Sequence, residues 1–75
     1  MDSKEVNTKH IEMRAELRAA YNLLRDTVDK YQKDINAALV DYQSLDAEGQ
    51  YNVQDMMKRV AAANAALYAL GTVSF

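Results

Sequence analysis

A chain of 75 residues with no proline and only two glycines, Gly49 and Gly71, contains almost nothing that would stop a helix. In a helix interior proline costs about 3 kcal/mol and glycine about 1 kcal/mol relative to alanine. Alanine occurs 12 times, and Leu, Glu, Lys, Arg, Gln and Met, all good helix formers, are also abundant. Strand-like alternation of polar and apolar residues is absent. The chain reads as all-α, and its two glycines divide it.

The first helix is predicted over about residues 3–44, starting near Ser3 or Thr8 and ending near Ser44. Its apolar track is His10, Met13, Leu17, Ala20, Leu24, Val28, Tyr31, Ile35, Ala38, Tyr42 and Leu45. The steps alternate between 3 and 4, with one extra 4 between Leu24 and Val28. This is a heptad seam with one stutter, confined to a sector about 120° wide. Asp26 and Asp29 are possible caps within the charged segment 25–34. Against a break there, Asp26–Lys30 and Asp29–Lys33 are favourable pairs across the same place, each worth about 0.2–0.5 kcal/mol. Continuity is therefore expected, with the charge run as a solvated face and Leu24 in the core.

Asp46 is a good N-cap, and Glu48 suits the positive end of a new helix. A tight turn is expected at about 44–47, then a second helix over about residues 47–70, with Gly71 as a natural terminator. The track of this helix is Val53, Met56, Val60, Ala63, Leu67 and Leu70, with Met57 beside it. The fold class that follows is an antiparallel helical hairpin with a long first helix and a shorter second one, forming a single domain over residues 1–75. One unbroken rod is the alternative, because the seam crosses Gly49 with a second pair of 4-residue steps.

Such a hairpin leaves two things unexplained. First, the helices differ in length, so the seam of residues 10–20 has no partner within the chain. That overhang carries Met13 and Leu17 on the seam, and Ala15, Ala19 and Leu23 on a second face. A helix with two apolar stripes usually has two neighbours. Second, residues 60–75 carry no charge at all. Ala62, Ala65, Ala66 and Ala69 point away from the seam, where a surface helix normally places Lys or Glu. Alanine also serves simply as exposed helix filler. Tyr68 falls off the seam in the same uncharged stretch, and Val73 and Phe75 end the chain. These twelve residues are the expected protein interface. A chain this short, with no cysteine and hence no disulfide, buries only a marginal core alone. Oligomerisation or a partner is expected to complete it.

Chemistry is poorly represented. One histidine and no cysteine leave no zinc set. His10 lies on the seam and reads as a core-edge or interface residue. The carboxylates are scattered, with no Glu-x-x-His pair, phosphate loop, G-x-S-x-G elbow or calcium loop. No enzyme activity, cofactor, metal or small-molecule substrate is expected. The net charge of −2 (9 basic, 11 acidic residues) argues against a nucleic-acid partner and against an anionic membrane. The first residues lack the apolar core of a signal peptide, and no apolar run is long enough to span a membrane. The expected location is cytoplasmic or within a macromolecular assembly.

The leading expectation is a non-enzymatic structural or interaction subunit of a larger protein assembly, joined by self-association or by incorporation with other chains. Phage virions and secretion-type filaments use subunits of this size and helical character, an analogy of architecture only. The alternative is a small regulatory binding protein, such as an inhibitor, anti-defence protein or chaperone, that offers one helix face to one target.

Overall fold

In a computed structural model, which describes residues 1–73, the chain begins with a capped helix. The Asp2 carboxylate accepts a hydrogen bond from the Glu5 N–H at 2.8 Å and starts helix α1, Ser3–Val40. Helix α2 spans Ala47–Leu70, and its N-cap Asp46 accepts from the Gly49 N–H at 2.7 Å. In both, a carboxylate satisfies one of the N–H groups that a first turn leaves unpaired, and it sits at the positive end of the helix dipole. The hairpin expected from the seam is therefore formed, with the turn close to its expected place.

Helix α1 runs unbroken through the charged segment 25–34. Thr27, which could compete with the helix, donates its hydroxyl to the Leu23 carbonyl at 2.8 Å and stays within it. The charged groups settle differently from the expected i,i+4 pairs. Asp26 faces Arg25 at 3.7 Å, and Lys30 lies 5.1 Å from the centre of the Tyr31 ring. Both are solvent-side contacts, so the continuity of the helix owes little to them.

The end of α1 differs in geometry from the expected one. The α-helix stops at Val40, and residues Tyr42–Ser44 continue as a tighter 3-10 turn. Side chains of α2 hold that turn. Gln50 Nε2 donates to the Tyr42 carbonyl at 3.1 Å, and Gln54 Nε2 donates to the Tyr42 hydroxyl at 2.6 Å. Gly71 ends α2 as expected, but in a right-handed conformation (φ −64°, ψ −17°) rather than the left-handed one that glycine favours. A Cβ there would lie 3.3 Å from the Leu67 carbonyl oxygen and 3.4 Å from the Tyr21 hydroxyl, which places the end of α2 against Tyr21.

These contacts set the register. Gly71 lies level with Tyr21, and Gln50 lies level with Tyr42. The spacing between the two contacts is the same on both helices, so they pair without slip over about 32 Å. The core is correspondingly thin. Among the described residues only Val28, Ile35, Val53 and Leu67 are buried, and no polar side chain is. Leu24, Ala38, Met56, Val60 and Ala63 are half-buried around them. The seam alone would put Leu24 deeper. It is half-buried, whereas Leu67, almost level with it on α2, is buried.

The molecule measures 62 × 19 × 15 Å, with a radius of gyration of 18.2 Å. A globular chain of this length would have a radius of gyration of about 11 Å. The accessible surface is 6046 Å². A compact protein of the same mass exposes about 4,700 Å², so this chain carries about 1,400 Å² of excess surface.

Candidate interaction surface

Part of this surface is the stretch of α1 that extends beyond the end of α2. Every residue from Met1 to Ala20 is exposed, although Ser3–Ala20 is regular helix. At 100° per residue, His10 and Leu17 point within about 20° of the direction of the buried Val28, and Val6 and Met13 flank them. The overhang is thus the same seam as the core, carried about 27 Å beyond the last residue of α2. Met13 and Leu17 are 49% and 43% exposed there. With Val6 and His10 they line one shallow groove, bordered by Lys9, Glu12 and Glu16.

Ala15, Ala19 and Leu23 lie on the opposite side of α1, about 140–220° from Val28. All three are exposed, Leu23 at 69%. The structure therefore does not bring them together with Met13 and Leu17; the overhang carries two separate apolar faces. Ile11, also 69% exposed, lies near the second face beside Ala15.

The uncharged end of α2 supplies the remaining residues. Ala62, Ala65, Ala66 and Ala69 are exposed and turned away from Leu67, as their spacing implies. Arg59 closes the charged part of this helix, donating from Nε to Asp55 at 2.7 Å. That hydrogen bond, and next the adjacent negative charge, raise the guanidinium pKa above its ordinary value. Beyond it the outward face is mostly alanine. Its largest projection is Tyr68, 84% exposed at the edge of a shallow groove formed with Tyr21, Arg25, Asn64, Leu67 and Gly71. Val73 lines a neighbouring groove with Arg18, Tyr21 and Asn22. Phe75 lies outside the described residues.

Further residues of this surface, among them Ile11, Val6 and Tyr21, are not among the twelve expected from the sequence. Val6 precedes His10 by 4 residues and extends the seam by one step, so the spacing rule is able to find it. Tyr21 stands between the two grooves at the end of α2, half-buried. Its place follows from where α2 stops, which no local pattern in α1 records.

Among the described residues no group of three or more His, Cys, Asp or Glu side chains comes together, and no helix is long and apolar enough to cross a membrane. Comparison with protein-family models, with curated proteins and with solved structures finds no match.

Proposed function

We propose that this chain is a non-enzymatic structural or interaction subunit of a larger protein assembly, packing through apolar helix faces. The observation that carries the reading is the overhang. Eighteen residues of regular helix, Ser3–Ala20, continue the core seam beyond the end of α2 and are exposed. In proteins most helical stability comes from packing an amphipathic face, so an apolar seam of this kind is stabilised by packing on something. A phage virion or a secretion-type assembly is one setting for such a subunit. A regulatory module that offers one face to one target needs a single apolar stripe. This chain has opposite stripes on the overhang and an alanine face on α2, which favours the assembly.

The test is the mass of the purified chain in solution, together with its thermal unfolding at several concentrations. An assembly subunit gives oligomers or polydisperse particles, and a midpoint that rises with concentration. A folded monomer with a sharp, concentration-independent transition overturns the reading.

A further inference from the structure

We infer that the overhang is covered by a second copy of the same chain, with Ser3–Ala20 of each copy packed antiparallel on the other. This rests on the assembly reading above and names its partner. Three observations lead to a second copy.

The first is continuity. The seam positions of the overhang are Ser3, Val6, His10, Met13, Leu17 and Ala20, with steps of 3, 4, 3, 4 and 3. This is an uninterrupted heptad pattern, which knobs-into-holes packing requires. In the antiparallel register that sets His10 level with Met13 of the second copy, Leu17 comes level with Val6. The first turn of the second copy then arrives where α2 ends at Gly71.

The second is charge. Residues 1–20 hold four acidic and four basic side chains, so two overhangs meet without net repulsion. The flanking positions are also matched. On one side of the seam stand Lys9 and Glu16, and on the other Asn7 and Arg14. Antiparallel packing places like flanks together. Lys9 then meets Glu16 of the second copy, Glu16 meets its Lys9, and Arg14 meets its Asn7. In the single chain Lys9 reaches only Glu12 of its own helix, at 3.5 Å across an exposed surface. Parallel packing instead joins opposite flanks and sets Lys9 beside Arg14 of the second copy, twice over. The charges therefore select the antiparallel pair.

The third is area. The whole elongated molecule carries about 1,400 Å² of excess surface, the overhang included, against the roughly 800 Å² that each partner contributes to a standard stable interface. A pair of overhangs leaves the α2 alanine face free for other contacts.

Sedimentation equilibrium on the full chain tests this, with circular dichroism to verify helicity. The wild-type chain is expected to dimerise. Lys9→Glu and Glu16→Lys each replace two attractive contacts by two repulsive ones, and each should raise the dimer dissociation constant about tenfold. The double exchange, Lys9→Glu with Glu16→Lys, should restore it. Mixing the two single variants should give heterodimers, because each carries the charge the other lacks. A Lys9→Glu variant that dimerises more tightly overturns the inference in favour of parallel packing. If the chain associates but neither substitution changes its mass, the inference falls while the assembly reading stands. If the wild-type chain is a folded monomer, both fall together.

Discussion

At the scale of residues, stability rests on very few side chains. Ile35 is 1% exposed and sits at the centre of the packed segment. Ile35→Ala should cost about 2–5 kcal/mol, measured by urea or thermal unfolding. Leu24→Ala should cost clearly less, because Leu24 is half-buried and much of its surface already meets water. An equal cost for the two would place Leu24 in the core after all. The seam spacing is enough to name both as inward-facing, since angle around the helix is a local property. It cannot rank them, because depth depends on how far α2 reaches. The same limit hides the role of Tyr21, whose burial comes from the end of another helix about 50 residues along the chain.

At the scale of elements, the two N-caps have the same chemistry and different weight. Asp46 caps a helix whose first turn packs against the turn and against Leu45. Asp2 caps the free end of the overhang. Asp46→Ala should therefore cost about 0.5–2 kcal/mol in global unfolding, whereas Asp2→Ala should leave the unfolding midpoint of the hairpin nearly unchanged. The overhang itself should open locally. In the dissociated chain, amides of residues 7–18 should exchange hydrogen far faster than those of residues 28–36, and should slow when the chain associates. Fast exchange that persists in the associated state would show that the overhang is not the contact. The caps, the terminating Gly71 and the bounds of α2 are legible in the amino-acid sequence, because each is written in a few adjacent residues. The 3-10 turn is not. It is held by Gln50 and Gln54 from across the hairpin, and nothing within residues 40–46 announces those bonds.

At the scale of the whole molecule, the question is what the alanine face of α2 does. A lysine at Ala65 would put a charge in the middle of the uncharged surface without touching the core. Ala65→Lys should leave helicity nearly intact and should weaken assembly beyond the dimer, read as a loss of the larger species by light scattering. Unchanged assembly would mean that this face is ordinary solvent surface and that its alanines are only helix filler. The outward orientation of these residues is legible from spacing alone, because angle around a helix is set by position along it. The elongated shape also bears on how any of these masses can be measured. A radius of gyration of 18.2 Å belongs to a globular chain of roughly 260 residues, far larger than this one. Frictional drag follows shape as well as mass, so the single chain should elute from a size-exclusion column well ahead of compact standards of 8.5 kDa. A column calibrated on globular proteins would report a monomer as an oligomer. The stoichiometry of this rod has to come from methods that weigh it.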